Sequence, residues 1–166
     1  MPRVLVIDDD QTTSQVIGDV LERNGHTAVS PDKPWEAARL LSDGGIDVIV
    51  ADVFIRSLIS SVQIVLALRQ VSSEIPVLFI SGTPLEGWSD RDFAGLEALM
   101  PGRLEFLLKP FTAKALVNSV SELLEPNYDD VVMRSVMVLA KRWRDTTEIL
   151  DKSIRDARGK RGSSAD

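Results

Sequence analysis

The sequence contains no cysteine and only one histidine, His26. Without cysteine, the chain can form neither a disulfide nor a thiolate metal site. Positive charge is also scarce, since 19 lysine and arginine residues stand against 25 aspartate and glutamate residues, for a formal net charge of −6. This balance gives the chain no general reason to bind nucleic acid or anionic lipid. No apolar run approaches membrane-spanning length and the N-terminus does not resemble a signal peptide, so we expect a cytoplasmic protein without a nucleic-acid or membrane partner.

Short apolar runs alternate with amphipathic segments through residues 1–125. The runs predict five strands, at residues 3–7, 26–29, 46–51, 76–80 and 104–108. The remaining segments predict five helices, at residues 12–24, 34–42, 58–71, 84–100 and 112–124. Most of the strands are continuously apolar, which is typical of a parallel sheet covered on both faces. We therefore predict an α/β fold, a flavodoxin-like doubly wound sheet of five parallel strands in the order 2-1-3-4-5.

Glycines and apolar spacing add detail to the helices. Gly25 is expected to end the first helix, because glycine commonly follows the last helical turn. In that helix, the spacing places Val16 on the same buried face as Ile17. Gly87 and Gly95 are expected to break the fourth helix, because glycine is a poor helix former.

Residues 128–158 contain neither proline nor glycine and predict one long helix. We divide the chain into a folded domain at 1–125, a helical extension at 126–158 and a disordered tail at 159–166. Along the long helix, apolar residues follow a heptad spacing, at Val132, Val136, Leu139, Trp143 and Leu150. Two hypotheses stand for this stripe. Either it mediates a homodimer or binds a partner, or the helix folds back on its own domain.

Polar residues follow the predicted strands at the points where they end. The first strand leads into three aspartates, and single polar residues follow the third, fourth and fifth strands; they are Asp8, Asp9, Asp10, Asp52, Ser81 and Lys109. In a doubly wound sheet these ends converge on one crevice. Neighbouring carboxylates repel one another, so a divalent cation is expected there. Mg²⁺ prefers one or two carboxylates together with water and phosphate oxygens, which predicts a magnesium ion beside a phosphoryl group.

Four segments carry a resemblance to a known family. They are VLVIDDD at 4–10, DVIVAD at 47–52, LFISGTP at 78–84 and FLLKPFTAKAL at 106–116. On these segments, residues 3–125 resemble the receiver domain of two-component response regulators. The resemblance implies a Mg²⁺-dependent phospho-acceptor that is phosphorylated by a histidine kinase or a histidine phosphotransfer protein. Such a domain promotes only its own phosphorylation and dephosphorylation, and its output is a change in protein–protein contacts.

The resemblance also implies individual roles in the reaction. Asp52 would be the phospho-acceptor and a metal ligand. Asp9 would ligate Mg²⁺ directly, Asp8 would do so chiefly through water, and the main-chain carbonyl of Phe54 would complete the protein ligands. Because His26 is expected to be structural or at the surface, the phosphohistidine donor must be another protein.

Further positions are implied for the phosphoryl group and the switch. Lys109 would pair with the acceptor carboxylate and then with a phosphoryl oxygen, and Ser81 would bind another phosphoryl oxygen. Phe106 occupies the aromatic switch position, although a plain core role fits it equally well. The peptide bond between Lys109 and Pro110 would be cis, as is far more common before proline than elsewhere.

The loop after Asp52 departs from the family pattern. Arg56 and Ser60 stand where proline and glycine are usual. The Arg56 side chain is expected to modulate the site, by reaching into the acidic crevice and partly replacing the charge of the metal. This departure motivates an alternative, in which the domain is a dimerisation or docking module that no longer uses phosphorylation.

A second alternative comes from another class of protein. Asp8, Asp10 and Thr12 fit the D-x-D-x-T pattern of haloacid dehalogenase-type phosphatases. Asp8 would then be the nucleophile and Asp10 the general acid and base. That family needs a second acidic pair at a late strand end, and residues 82–126 do not supply one.

Overall fold

The computed structural model describes residues 1–55, 60–100, 102–125 and 131–161. Its strands are β1 Arg3–Ile7, β2 Thr27–Val29, β3 Val48–Asp52, β4 Val77–Ser81 and β5 Leu104–Leu108. Its α-helices are α1 Gln11–Arg23, α2 Pro34–Ser42, α3 Ser61–Arg69, α4 Asp90–Leu99, α5 Ala113–Leu124 and α6 Val131–Arg161. A short 3₁₀ turn, Leu85–Gly87, precedes α4.

The five strands form one parallel sheet in the order β2-β1-β3-β4-β5, which confirms the predicted topology. The register pairs Ile7 with Ala51 and Asp52 with Ile80. Between β4 and β5, Ser81 pairs with Leu108. Since all strands point the same way, the residues that follow β1, β3, β4 and β5 meet at one edge of the sheet.

Both faces of the sheet are covered, which explains the continuous apolar runs. Successive residues of a strand point to opposite faces. Leu5 accordingly joins one core, which includes residues of α2, α3 and α4, whereas Val4 joins a second core with α1 and α5. Every residue of β3 and β4 is buried. Asp52 and Ser81 therefore sit at the ends of the most enclosed strands, where strand pairing fixes their backbones.

The buried face of α1 differs from the predicted one. Ser14, Ile17 and Leu21 are buried, whereas Val16 is 56% exposed, so its predicted inward position is wrong. Position 14 faces inward because the Ser14 hydroxyl donates a hydrogen bond to the Ser30 hydroxyl at 2.9 Å. Because Ser14, Ile17 and Leu21 form the buried face, the helical period of about 3.6 residues turns Val16 toward solvent. Gly25, with φ of +85°, follows the helix as predicted.

The predicted break at Gly95 is also wrong, because α4 runs without interruption through that residue. A Cβ atom at Gly95 would lie 2.8 Å from Cγ1 of Val62 and 3.2 Å from Cδ1 of Leu66. The glycine therefore lets α3 and α4 pack closely. Gly87, in contrast, ends the short turn that precedes α4.

We predict that Gly95→Leu destabilises the protein by about 1–3 kcal/mol, as forcing extra carbon atoms into a packed interface commonly does. Urea unfolding measures this change. Ala98→Leu is the matched control, because Ala98 lies on the exposed face of the same helix. An equal stability of the two variants would show that Gly95 has no packing role.

The helix α6 folds back on its own domain through one face. Lys141 Nζ donates to Glu97 Oε1 at 2.9 Å, and Arg144 pairs with Asp90. The Arg144 guanidinium also lies 4.6 Å from the ring centroid of Phe93. These contacts join α6 to α4. The helix ends at Arg161 rather than at the predicted residue 158, and residues 162–166 of the predicted tail lie outside the described residues.

A second face of α6 is apolar and open to solvent. Four residues of the predicted stripe are between 40% and 66% exposed, namely Val136, Leu139, Trp143 and Leu150. The side chain of Val132 lies outside the described part of the structure. Within the described ranges, no helix is both long and apolar enough to cross a membrane. Folding back therefore accounts for one face of α6 and leaves the stripe uncovered.

Candidate functional site

Asp52 ends β3 with a buried side chain whose two carboxylate oxygens have different partners. Oδ1 accepts a hydrogen bond from the backbone N–H of Phe54 at 2.9 Å. Oδ2 accepts one from the ammonium group of Lys109. The hydroxyl of Ser61, at the start of α3, donates to the backbone carbonyl of Asp52. The carboxylate is thus oriented by the backbone and compensated by one cation.

Lys109 follows β5 directly and reaches Asp52 across the end of β4. Its backbone N–H donates to the carbonyl of Ser81 at 2.8 Å, which continues the β4–β5 pairing by one residue. The peptide bond to Pro110 is cis, as the resemblance implies. The Lys109 side chain is 33% exposed and that of Asp52 is 10% exposed. The ion pair therefore sits at the rim, with the ammonium on the solvent side.

Asp8 lies beside this pair, at the end of the neighbouring strand β1. Its Oδ1 accepts from the backbone N–H of Asp10 at 2.8 Å. Its Oδ2 is buried and has no hydrogen-bond partner. Burial, with a contribution from the charge of Asp52, raises the pKa of Asp8 above its usual range. An unpaired, buried carboxylate oxygen is costly in a protein and is the kind of atom that a bound cation would satisfy.

The three consecutive aspartates have separate environments. Asp10 caps α1, since its carboxylate accepts from the backbone N–H groups of Thr12 at 2.8 Å and Thr13 at 3.1 Å. Negative charge is favourable at a helix N-terminus. Asp9 is exposed and follows Asp8 directly. The structure therefore separates Asp10, which has a structural task, from Asp8 and Asp9, which border the crevice.

The oxygen atoms around Asp52 suit Mg²⁺ better than a metal ion that takes all of its ligands from protein side chains. Within the residues described, no three histidine, cysteine, aspartate or glutamate side chains are grouped closely enough to hold such an ion. Mg²⁺ takes only one or two carboxylates and keeps several waters. Asp8 offers an unpaired oxygen, and the backbone of Phe54 is fixed beside Asp52. The residues present therefore fit a hydrated Mg²⁺ ion.

Ser81 is buried at the end of β4, and its hydroxyl is turned toward its own loop. The hydroxyl donates to the Thr83 carbonyl at 2.6 Å and accepts from the Thr83 N–H at 3.0 Å. In this arrangement no hydrogen bond joins Ser81 to Asp52. Its predicted contact with a phosphoryl oxygen requires the hydroxyl to exchange its bond to Thr83.

Phe106 belongs to an aromatic cluster beneath this loop. Its ring stacks on Phe79 with centroids 5.7 Å apart, and Trp88 meets its edge at 5.5 Å. Trp88 also contacts Phe79 at 6.1 Å and Phe54 at 6.5 Å. Trp88 is only 4% exposed, and we did not predict its role. No sequence spacing would reveal it, because the four rings come from four separate segments.

The loop after Asp52 is described only at its ends. Ser60 caps α3, and its hydroxyl donates to Asp92 Oδ1 at 2.5 Å, which ties α3 to α4. Serine in place of the usual glycine therefore has a structural task. Arg56 lies outside the described residues, so its predicted reach into the crevice stays a prediction.

Comparison with known proteins identifies the class. Residues 4–121 match the family described as the response regulator receiver domain. This match covers well over half of the chain. The chain therefore belongs to the response regulator receiver family, and this conclusion confirms the resemblance.

Individual relatives agree with that assignment. Transcriptional regulatory protein PrrA of Mycobacterium tuberculosis is 33% identical over 123 residues, which are 74% of this chain and 50% of PrrA. Response regulator MprA of Mycobacterium leprae is 29% identical over 160 residues, which are 96% of this chain and 65% of MprA. A response regulator receiver domain protein of Clostridium thermocellum superposes with a TM-score of 0.62 at 26% identity, covering 75% of this chain and 94% of that one. This chain thus spans about half the length of PrrA.

Proposed function

We propose that this receiver domain accepts a phosphoryl group on Asp52, in a Mg²⁺-dependent reaction, from a histidine kinase or a histidine phosphotransfer protein. The observation that supports this most is the buried carboxylate of Asp52, paired with Lys109 at the sheet edge where Asp8 and Asp9 also lie. A buried, oriented carboxylate beside a cation, next to Asp8 with its unpaired Oδ2 as a candidate metal ligand, suits a group that accepts a phosphoryl group. We also propose that the protein acts in the cytoplasm.

The chain's own groups supply orientation and charge for the transfer. An oxygen of Asp52 attacks the phosphorus of a phosphohistidine and forms an acyl phosphate. The phosphorus–nitrogen bond breaks, and the imidazole leaves with its electron pair and takes up a proton. Lys109 offsets charge on a phosphoryl oxygen, and the N–H of Phe54 keeps the carboxylate oriented.

The implied metal would be held by Asp8, Asp9, Asp52 and the Phe54 carbonyl. When bound, Mg²⁺ supplies positive charge that offsets the charge on the transferred phosphoryl group. We propose that Ser81 then releases Thr83 and binds a phosphoryl oxygen, while Phe106 changes its packing against Phe79. Protein contacts near α4 and β5 would change as a result.

Intact-mass measurement after incubation with Mg²⁺ and a small phosphodonor tests this proposal. The parent chain should gain one phosphoryl group and Asp52→Asn should gain none. Omission of Mg²⁺ should abolish the gain in the parent. If the folded parent gains nothing from a small donor and nothing from a phosphorylated kinase domain, the docking-module alternative replaces this proposal.

We further propose that the exposed stripe of α6 mediates a homodimer. The stripe has a heptad spacing, and each copy presents the same surface, so two copies can pack it symmetrically. It is separate from the face that holds α6 on α4, because Ala140 is 4% exposed whereas Leu139 is 63% exposed. One helix can therefore contact its own domain and a second copy at once.

Sedimentation at high micromolar concentration should show a dimer that Leu139→Glu disrupts. Burying a carboxylate in an apolar helix seam is unfavourable, so the variant should dissociate. Lys152→Gln is the control, because Lys152 is exposed, lies on the side of α6 opposite Trp143, and the change alters the net charge by the same amount. A monomeric parent chain, both with and without phosphorylation, would rule out this dimer.

Neither alternative from the sequence is favoured by the comparisons. The phosphatase hypothesis needs Asp10 as a general acid and base, but the Asp10 carboxylate is engaged in capping α1. It also gives no role to the pair of Asp52 and Lys109. The docking-module hypothesis remains as the outcome that replaces the phospho-acceptor if the mass measurement fails.

A further inference from the structure

The backbone carbonyl of Thr83 accepts two hydrogen bonds from side chains with different surroundings. One donor is the hydroxyl of Ser81, at 2.6 Å. The other is the indole N–H of Trp88, at 3.1 Å. A carbonyl oxygen has two lone pairs, so both bonds can exist together. The Ser81 hydroxyl is the group proposed to contact the phosphoryl group. It therefore shares one acceptor, the carbonyl oxygen of Thr83, with the buried indole N–H of Trp88.

The position of Trp88 makes its N–H a fixed donor. Its ring meets Phe54 and Phe79 edge to face, with centroids 6.5 and 6.1 Å away, and these two contacts do not depend on the packing of Phe106. Edge-to-face packing of this kind restricts how far an aromatic ring can tilt. The Ser81 hydroxyl, in contrast, rotates about one bond. Of the two donors to Thr83, only Ser81 can leave by a simple rotation.

We propose that Trp88 is a positioning residue for phosphorylation, which keeps the Thr83 carbonyl hydrogen-bonded when the Ser81 hydroxyl turns toward the phosphoryl group. The inference rests on the proposed phospho-acceptor function. Without the indole N–H, the departure of Ser81 would leave the Thr83 carbonyl unpaired in a half-buried loop. An acceptor that loses its last protein partner where water has only partial access is costly, because its desolvation is no longer offset. Trp88 therefore makes the rotation of Ser81 less costly, and it acts through Thr83 rather than on the phosphoryl group.

Trp88→Phe tests this role, because phenylalanine keeps an aromatic ring and removes the donor. The probe is beryllofluoride with Mg²⁺, a phosphoryl mimic whose bound fraction fluorine NMR measures. The concentration for half-saturation should rise about tenfold in Trp88→Phe, as expected for one unpaired acceptor. Trp35→Phe, the same change within α2, should leave it unchanged. Urea unfolding of each variant checks that it is folded.

A double-mutant cycle separates positioning from structural support. In a Ser81→Ala background no hydroxyl has to leave Thr83, so Trp88→Phe should have no further effect there. An equal effect in both backgrounds would show that Trp88 only supports the fold, and would overturn the proposal. A parent that binds, with Trp88→Phe indistinguishable from Trp35→Phe, would overturn this proposal alone. A parent that neither binds beryllofluoride nor gains a phosphoryl group would overturn both this proposal and the proposed function.

The parent chain offers a test that needs no variant. The Trp88 indole proton should stay protected from hydrogen exchange when beryllofluoride binds, because its bond to Thr83 persists. Loss of protection on binding would show that Trp88 leaves Thr83 together with Ser81, which contradicts the proposed role.

Discussion

Lys109→Ala should lower the rate of phosphorylation of Asp52 by about two to three orders of magnitude, the usual cost of removing one charge-stabilising group from an active site. Lys109 is the cation that pairs with Asp52 in the structure, and its backbone is fixed to β4 by a 2.8 Å hydrogen bond. Its ammonium therefore stands where negative charge accumulates during phosphoryl transfer. Time-resolved intact mass with a small phosphodonor and saturating Mg²⁺ measures the rate.

Lys114→Ala is the matched control for this prediction. Lys114 is an exposed lysine in the first turns of α5, and among the residues that the structure describes no hydrogen bond or ion pair joins it to Asp52. Its loss changes the net charge by the same amount as the loss of Lys109, so it reports any general effect of charge. Equal rates for the two variants would mean that Lys109 does not act on the phosphoryl group.

Asp8→Asn should have effects of opposite sign on metal binding and on stability. Without metal, the variant should be more stable than the parent, because it removes a buried charge whose Oδ2 has no hydrogen-bond partner. Its Mg²⁺ affinity should fall about 10- to 100-fold, as is typical when a group that supports a metal through its outer shell is lost. Urea unfolding without Mg²⁺ and calorimetric titration with Mg²⁺ measure the two effects.

Asp10→Asn provides the comparison, since asparagine caps a helix about as well as aspartate. That variant should change Mg²⁺ affinity little, because the Asp10 carboxylate is engaged with Thr12 and Thr13. The idea that Asp8 serves the metal fails if Asp8→Asn binds Mg²⁺ as tightly as Asp10→Asn does.

The pH dependence follows from the raised pKa of Asp8. Because burial raises this pKa in the folded state, the folded chain binds a proton there more tightly than the unfolded chain does. The metal-free protein should therefore lose stability as the pH rises from the ordinary aspartate value through the raised one. Mg²⁺ requires the deprotonated carboxylate, so its affinity should fall as the pH drops through the same window. Asp8→Asn should remove this dependence of stability and should weaken the dependence of Mg²⁺ affinity on pH, since two of the three proposed carboxylate ligands remain.

The sheet and most of the site could be predicted from sequence because both depend on local patterns. Continuous apolar runs indicate strands buried on both faces, and parallel strands bring Asp52 and Lys109 together without further information. The predicted helix break at Gly95 is wrong because this glycine allows close packing against Val62 on another helix. The sequence around Gly95 does not indicate that contact. The exposure of Val16 depends on a hydrogen bond from Ser14 to a different segment.

The parts of the site that were not predicted are those that depend on side-chain orientation. The sequence pattern predicts Ser81 at a strand end. It does not predict that the hydroxyl bonds to the Thr83 carbonyl instead of pointing toward Asp52, because the loop determines that rotamer. The place of Trp88 depends on rings from several segments meeting beneath that loop. The long helix was predicted, yet only the structure shows that one face contacts α4 while the apolar stripe faces solvent.

Locating the phosphoryl group on the chain is the experiment that decides between a phospho-acceptor and a docking module. Borohydride reduces an aspartyl phosphate to homoserine, and peptide mass spectrometry then identifies the converted residue. After treatment with Mg²⁺ and a phosphodonor, we expect homoserine at position 52 and at no other aspartate. Conversion at Asp8, or phosphorylation that borohydride does not convert, would contradict the assignment of Asp52 as the acceptor.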